Sequence, residues 1–239
     1  MIIKKIKSLL NEFRDRSDDN KKLLQEIEWA NIYHDSIRDN EELQKLSLKI
    51  GRWAGNYSFF FLVHRILKDF QPQKIVEFGL GESSKFISTY NRSIGNKHKH
   101  IVIEQDDNWT RIFNEAFLNE NINIYHHPLQ KKTVKGYEYN GYEKAEEIPS
   151  NADFYLIDGP FGSPNYSRYD ILYVLQRIKP EKEFVLVLDD YNRIGEQETA
   201  EEILKLFKEK GRQVYSSSFE GGKSQFVLVT EKYKYVLSV

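Results

Sequence analysis

Cysteine is absent from this 239-residue chain, and proline is scarce, at 6 residues. Without thiols the chain has no disulfide scaffold, no thiolate-bound zinc or iron–sulfur cluster and no cysteine nucleophile. Long apolar runs are also missing, since stretches such as Phe59–Val63 fall far short of the about 20 residues of a membrane-spanning helix. Neither sign of charge is in excess, because 35 Lys and Arg residues balance 36 Asp and Glu residues. This balance argues against a dedicated nucleic-acid-binding protein.

A targeting segment is not expected either, because the first residues lack a long apolar stretch followed by a small-residue cleavage site. We therefore expect a cytoplasmic protein. Aromatic side chains, in contrast, are abundant: tyrosine and phenylalanine occur 15 times each and, with 3 Trp, make 14% of the chain. Together with 30% charged residues, this composition predicts an ordered globular protein, as one domain or one domain with an appendage.

The start of the chain has the apolar spacing of an amphipathic helix, and lysines and arginines occupy its other faces. The apolar positions are Ile3, Ile6, Leu10 and Phe13. We expect this helix to pack on the rest of the protein or on a second copy of the chain, giving a homo-oligomer. The alternative is peripheral contact with an anionic membrane surface.

Two further helices are predicted over residues 40–52 and 57–70, the second ending before Pro72 because proline cannot continue a helix. We expect residues 1–71 to form an N-terminal helical cap and residues 72–239 to form the main domain.

From Lys74 onward, short β-branched runs alternate with amphipathic stretches, a pattern that predicts a parallel sheet covered by helices on both faces. The predicted strands are Lys74–Phe78, His100–Glu104, Ile122–Tyr125, Asp153–Ile157 and Phe184–Leu188, and the predicted helices are Ser83–Tyr90, Asn108–Asn119, Tyr166–Ile178 and Glu196–Lys210. Two final strand-like runs, Gln213–Phe219 and Gln225–Thr230, are joined by a turn so short that they must be antiparallel. The expected fold is an α/β, Rossmann-like seven-stranded sheet of five parallel strands and a terminal hairpin.

A glycine-containing turn follows the first of these strands, with Glu77 at the strand end, Gly79 and Gly81 in the turn, and Ser83 and Ser84 beginning the helix. Glycines allow the backbone to turn sharply and to approach a ligand. The full dinucleotide fingerprint would have glycine in place of Ser84, and Glu77 suits a cationic amine or sulfonium better than a pyrophosphate. Taken alone, the segment could also be an ordinary strand-to-helix turn.

The second strand ends in Glu104, and a carboxylate at this position can accept hydrogen bonds from both hydroxyls of a ribose. A solvated strand-end acid is the alternative interpretation. The coupling to the glycine turn favours the ribose.

Three aspartates follow the fourth and fifth strands: Asp158 after one, Asp189 and Asp190 after the other. Carboxyl ends of parallel strands share one edge of a sheet, so these acids face the same crevice as Gly79. Converging carboxylates repel one another unless a cation lies between them, and Mg²⁺ prefers such oxygen ligands. The sequence therefore predicts a Mg²⁺ site, with a turn-capping Asp189 and a solvated Asp190 as the alternative.

Taken in order, Glu77-x-Gly79-x-Gly81, Glu104, Asp158-Gly159 and Asp189-Asp190, closed by a terminal hairpin, resemble the class I S-adenosylmethionine-dependent methyltransferases over about residues 72–230. Within that superfamily the chain is most similar to the magnesium-dependent, macrocin-type sugar O-methyltransferases and to methyltransferase-like proteins of bacterial surface-polysaccharide clusters.

The resemblance implies transfer of a methyl group from adenosylmethionine to a hydroxyl oxygen of a small-molecule or glycan acceptor, with Mg²⁺ assistance. The cofactor-binding residues that it implies are Glu77, Gly79, Gly81, Ser83, Glu104 and His127. The implied metal ligands are Asp158, Asp189 and Asp190, of which Asp158 is also the candidate catalytic residue.

The sequence departs from the family at the general base. Related enzymes place a lysine or a histidine three residues after the first metal aspartate, and here that residue is Phe161. Tyr166 and Arg168, in the segment that follows, are the candidate acceptor contacts. Two alternatives remain: a non-catalytic adenosylmethionine-binding or assembly protein of glycan biosynthesis, and an NAD-dependent oxidoreductase.

Overall fold

The computed structural model describes residues 2–51, 53–117 and 121–238, and it describes side chains from residue 17 onward within these ranges. Its first helix, α1 (Ile2–Ser36), contains the predicted basic amphipathic start. The apolar side chains of that start lie outside the described residues, so membrane contact and self-association through them stay predictions. In the described part of the chain, no helix is both long enough and apolar enough to cross a membrane.

The next helices are α2 (Glu41–Lys45) and α3 (Tyr57–Arg65), and α3 continues into a π-helical turn at Ile66–Phe70. The helix predicted over 40–52 was thus too long. Beyond α2 the chain is extended, because the apolar residues alternate there and all pack against the core: Leu46, Leu48 and Ile50. A period of two suits an extended segment and not a helix.

A seven-stranded sheet forms the centre of the molecule, with strand order β3-β2-β1-β6-β7-β9-β8. Its strands are β1 (Lys74–Phe78), β2 (Lys99–Glu104), β3 (Ile122–His126), β6 (Phe154–Ile157), β7 (Val185–Leu188), β8 (Tyr215–Glu220) and β9 (Ser224–Val229). The first five pair in parallel, and β9 lies antiparallel between β7 and β8. The predicted Rossmann-like sheet with a terminal hairpin is confirmed.

Four helices alternate with these strands: α4 (Glu82–Ser93), α5 (Asp107–Ala116), α6 (Ile171–Gln176) and α7 (Ile194–Glu209). The helix predicted from Tyr166 begins only at Ile171, because Tyr166 and Arg168 adopt left-handed backbone conformations with φ of 46° and 60°. The predicted end of α5 at Asn119 lies outside the described residues.

A hairpin that the sequence analysis did not assign connects β3 to β6. It consists of β4 (Leu129–Val134) and β5 (Tyr137–Tyr142), which form a separate two-stranded sheet. Lys135 and Gly136 make the turn, both with positive φ, at 50° and 85°. This is the backbone that a type I′ hairpin turn requires.

Both faces of the sheet are covered by a hydrophobic cluster. One cluster lies under α6 and α7; the other joins the N-terminal helices to the sheet, with Tyr33, Phe59 and Val227 among its members. The N-terminal helices therefore complete the core of the sheet, while the division at residue 71 stays a prediction. The largest fully buried side chains are all tyrosines and phenylalanines, so the aromatic surplus is used mainly for packing.

The strand order places the candidate functional residues together. β1 has β2 on one side and β6 on the other, so the chain reverses the direction in which it builds the sheet at this point. Open α/β sheets bind ligands beyond the carboxyl ends of the strands at such a switch. The glycine turn, Glu104, Asp158 and Asp189 all follow strands at this edge.

Candidate functional site

The glycine turn after β1 has a closed side and an open side. On the closed side, Gly79 has a φ of 95°, and a Cβ on Gly159 would lie 2.7 Å from the Gly79 Cα atom. These two glycines therefore allow the turns after β1 and β6 to touch. On the open side, a Cβ on Gly81 would have no neighbour within 4 Å. The turn can therefore be approached at Gly81.

Glu77 stabilises the glycine turn through hydrogen bonds of its side chain. Its carboxylate is fully buried and accepts hydrogen bonds from the Ser83 hydroxyl, from the Ser84 hydroxyl at 2.9 Å and from His100 Nε2 at 2.8 Å. Ser84 Oγ in turn accepts from the Gly81 N–H at 3.1 Å. Ser84, which replaces the third glycine of the dinucleotide fingerprint, thus stabilises the turn. The geometry gives Glu77 and Ser83 a role in shaping the turn, and their direct contact with a cofactor stays a prediction.

Glu104 lies beside the turn, as expected, and its carboxylate faces the backbone. Oε2 accepts from the Leu80 N–H, and Oε1 accepts from the N–H groups of Gln105 and Asp106, all at 2.8 Å. Burial raises the pKa of Glu104, although these three hydrogen bonds act in the opposite direction. Each carboxylate oxygen can accept two hydrogen bonds, so Oε2 keeps one acceptor position, on a side chain that is 1% exposed.

His127 and Trp109 flank this group. The His127 backbone N–H donates to the Glu104 carbonyl at 2.8 Å, and its half-buried ring lies 3.0 Å from the Glu143 carbonyl through Nδ1. Trp109, which the sequence analysis missed, donates from its indole to the Leu80 carbonyl at 2.8 Å and is 39% exposed. The sequence did carry a sign of its position, because Asp106 is a helix-capping residue. It caps α5 by accepting from the Trp109 N–H at 3.0 Å and so places Trp109 in the first turn of that helix.

These residues fit adenosylmethionine. The turn is open at Gly81, and a carboxylate with one free acceptor position stands on the neighbouring strand. A partly exposed indole lies beside both and offers an aromatic face.

The three aspartates also converge. Asp158, Asp189 and Asp190 each have a carboxylate oxygen that lies within 4.8 Å of those of the other two. The side chains of Asp189 and Asp190 are 0% and 4% exposed, and that of Asp158 is 16% exposed. Asp158 is therefore the member of the cluster that faces the crevice.

Arg168 lies in the middle of this carboxylate cluster. Its Nη2 donates to Asp190 Oδ2 at 2.9 Å and to Asp158 Oδ1 at 3.3 Å. Its Nη1 donates to the backbone carbonyls of Asp189 at 3.0 Å and Ile157 at 3.3 Å. The guanidinium is directed inward, and the side chain is only 4% exposed. The acceptor contact predicted for Arg168 would require it to leave these partners.

Two more cations reach the cluster. Lys223, in the turn between β8 and β9, places its Nζ 3.2 Å from Asp190 Oδ1 and 3.6 Å from Asp189 Oδ2. Arg193, just before α7, lies 3.0 Å from Asp190 Oδ2. The sequence analysis identified neither of them: Lys223 reaches the aspartates through the folding of the sheet, whereas Arg193 lies only three residues after Asp190.

The surroundings shift the pKa values of the three acids in different directions. Burial, and then the neighbouring Asp189, raise the pKa of Asp158 well above its usual value. Burial and Asp190 likewise raise the pKa of Asp189. Burial acts in the same direction at Asp190, but Arg168 and the other two cations outweigh it and lower its pKa. Asp190 is the acid that these cations hold ionised.

Mg²⁺ does not fit this cluster as the chain is folded. The oxygen donors are the right type, but Arg168 bonds two of the three carboxylates and Lys223 pairs with the third. Mg²⁺ needs close, nearly octahedral oxygen ligation at about 2.1 Å. The guanidinium would have to leave before these carboxylates could provide it.

Tyr166 lies farther along the same segment and is half-buried. Its ring contacts Tyr137 at 5.8 Å and Tyr169 at 5.9 Å between centroids, and the Lys135 ammonium lies 5.6 Å from its centre. Phe161, at the expected position of the base, is 66% exposed. An aromatic surface with a cation thus lies on the β4–β5 hairpin, next to the segment that leaves Asp158.

Solved structures with a similar fold are methyltransferases. They include a cofactor-bound protein from MTB, Rv0187 (TM-score 0.49, 14% identity, covering 77% of this chain and 84% of that one). A candidate O-methyltransferase from Klebsiella pneumoniae has a TM-score of 0.48 and 15% identity, with coverages of 83% and 89%. The Podospora anserina methyltransferase PaMTH1, bound to SAH, has a TM-score of 0.47 and 9% identity, with coverages of 84% and 86%. The sequence matches no protein-family model and no curated protein.

Proposed function

We propose that the protein is an S-adenosylmethionine-dependent O-methyltransferase whose acceptor is a hydroxyl of a sugar or glycan. The observation that carries the proposal is the glycine turn, open at Gly81 and bonded to Glu104 on the next strand. It stands at the switch point of a sheet of five parallel strands that ends in an antiparallel hairpin. Position in the fold and chemistry of the residues therefore agree.

Bound adenosylmethionine would supply a methyl group on a sulfonium: in-line attack by the acceptor oxygen would form the O–CH3 bond as the S–CH3 bond breaks, leaving a neutral thioether and releasing the hydroxyl proton to water. The work of the chain is alignment, which can contribute about 7–11 kcal/mol to such a reaction. In the proposal, Gly81 leaves room for the cofactor and Glu104 accepts a ribose hydroxyl. Asp158, the least buried member of the carboxylate cluster, accepts a hydrogen bond from the acceptor hydroxyl and orients it.

The choice of a sugar rests on the aromatic surface of the β4–β5 hairpin. The rings of Tyr137 and Tyr166 with the Lys135 ammonium resemble a platform on which a sugar ring could stack. The polysaccharide context and the cytoplasmic location stay predictions. Mg²⁺ assistance is not part of the proposal, because Arg168 takes up the carboxylates that it would need.

The test is calorimetric titration of adenosylmethionine into wild type and into Gly81→Leu. Because nothing lies within 4 Å of a Cβ at Gly81, the variant should fold normally, with a melting temperature within about 1 °C of wild type. The added side chain occupies the open side of the turn, so the affinity should fall at least about tenfold. Gly81→Ala is the matched control and should weaken binding less.

Other outcomes would overturn the proposal. Binding of NAD without binding of adenosylmethionine would favour an oxidoreductase. Phe161 at the base position keeps one further candidate open, a non-catalytic adenosylmethionine-binding protein. Tight binding of adenosylmethionine with no methyl transfer to any sugar acceptor would favour that candidate.

A further inference from the structure

We infer that the carboxylate cluster carries its own cations, Arg168 and Lys223, in place of a divalent metal ion, so that the site functions without one. This inference rests on the proposed function for its enzymatic meaning. The metal preference itself is a property of the chain and can be measured separately.

The guanidinium of Arg168 lies among oxygen atoms of two strand ends. Arg168 bridges the ends of two neighbouring strands, through a carbonyl and a carboxylate after each of β6 and β7. A planar group with several fixed N–H donors suits such a set of oxygens, which a hydrated metal would otherwise collect. Arg168 is therefore a positioning residue that holds Asp158 and Asp190 at the edge of the crevice.

Hydrogen bonds hold the backbone just before Arg168 in place. The Ser167 N–H donates to the Gly195 carbonyl at 3.0 Å, and the Thr199 hydroxyl donates to the Ser167 carbonyl at 2.7 Å. The Ser163 N–H donates to Ser167 Oγ at 3.1 Å. The residues just before Arg168 are thus fastened to α7 and to each other, and its side chain is part of the folded core.

Lys223 is also held in place by hydrogen bonds, both of its side chain and of its turn. Its ammonium donates to the Ala54 carbonyl at 3.0 Å in addition to its ion pairs with Asp189 and Asp190. Glu26, on α1, accepts from the backbone N–H of Gly222 at 2.6 Å and so holds the turn that presents this lysine.

The charges of the cluster also oppose the entry of a divalent ion. Four acids meet three cations, since buried Glu196 also lies 3.8 Å from Arg168 Nε while Arg193 pairs with Asp190. A divalent ion entering this group would have to displace the guanidinium from its carboxylate partners and leave its buried charge uncompensated. Uncompensated buried charge is strongly unfavourable. Removing the guanidinium enlarges the excess of acids and leaves an oxygen-lined site suited to a divalent ion.

The experiment measures Mn²⁺ binding by the loss of the free-ion EPR signal, and melting temperature with Mg²⁺ or EDTA. Wild type should bind no Mn²⁺ up to about 1 mM, and its melting temperature should be the same in both additions. Arg168→Met should gain Mn²⁺ binding and be stabilised by about 5 °C or more at saturating metal. Arg168→Lys keeps a cation and should gain none.

The double variant Arg168→Met, Asp190→Asn tests whether the gained site is this cluster, and it should lose the gained binding. Wild-type Mn²⁺ binding that Asp190→Asn abolishes would overturn the inference. This result needs only wild type and one substitution, so it holds even if Arg168→Met fails to fold.

The same wild-type sample separates the inference from the proposed function. Adenosylmethionine titrated in EDTA should bind with an affinity unchanged, within about twofold, from that in Mg²⁺. No binding in either buffer would refute the proposed function and leave the metal result standing. Binding only with Mg²⁺, lost in Asp190→Asn, would refute the inference and leave the function standing.

Discussion

His64 on α3 is buried in a way that should make the protein sensitive to mild acid. The side chain is 1% exposed, and burial, with a smaller contribution from Lys68, lowers its pKa from 6.5 to about 4. Ser36 Oγ donates to the Tyr33 carbonyl at 2.7 Å, so His64 Nδ1, at 3.1 Å, is the donor to Ser36. Nε2 has no hydrogen-bond partner, and a proton there would be a buried charge without an acceptor.

The size of the effect follows from proton linkage. The unfolded chain binds a proton at His64 near pH 6.5, whereas the folded protein binds it only near pH 4. Stability from the neutral ring is therefore fully present above pH 6.5 and is lost as the pH falls towards 4. At pH 5, with ~1.4 kcal/mol per pKa unit, the loss is about 2 kcal/mol.

The assay is urea unfolding of wild type and of His64→Leu at pH 7 and pH 5. Leucine has no titratable group, so the variant should lose about 2 kcal/mol less than wild type between the two pH values. Comparing the pH dependence of the two proteins removes the contribution of all other groups, and of the packing defect at pH 7. Equal losses in both proteins would refute the reasoning, and an NMR titration of His64 would locate the error.

Three further predictions concern stability, each measured by urea unfolding at pH 7. Gly79→Ala should destabilise the protein by roughly 1–3 kcal/mol, because φ is 95° and the added Cβ would lie 3.1 Å from the Asp158 carbonyl oxygen; an unchanged midpoint would contradict the close contact of the two turns. Asn56→Ala should cost about 1–2 kcal/mol, because its side chain caps α3 and accepts from Gln225 Nε2 at 2.9 Å; a loss below about 0.5 kcal/mol would count against the cap. Tyr139→Phe should cost about 1–2 kcal/mol, because its buried hydroxyl donates to Asp170 at 2.9 Å, and an equal stability would mean that Asp170 bonds elsewhere.

The sheet was predictable because its strands are short apolar runs whose ends carry turn residues and acids. The β4–β5 hairpin was missed because its strands are polar and half exposed, so neither has the continuous apolar run of a buried strand. Its one clear signal was Lys135-Gly136 between residues of β character, a pair suited to a type I′ turn.

The aspartates were predictable for the same reason as the sheet, whereas their cations were not. Arg168 reaches the cluster from a segment whose left-handed backbone no periodicity reveals. Lys223 reaches it because β9 pairs with β7, which brings the start of β9 beside the end of β7. Sequence spacing carries no trace of either approach. The convergence of the carboxylates was predicted, whereas the cations beside them are side chains of the chain and not the Mg²⁺ that was expected.

The position of β9 between β7 and β8 has a consequence for synthesis on the ribosome. Chains fold from the N-terminus as they emerge, and β9 (Ser224–Val229) leaves the ribosome well after β7 (Val185–Leu188). Until then β7, whose four residues are all buried apolar side chains in the finished protein, is an unpaired sheet edge. The nascent chain therefore exposes an aggregation-prone strand until β9 emerges, and Asp189 and Asp190 stay without Lys223 over the same interval.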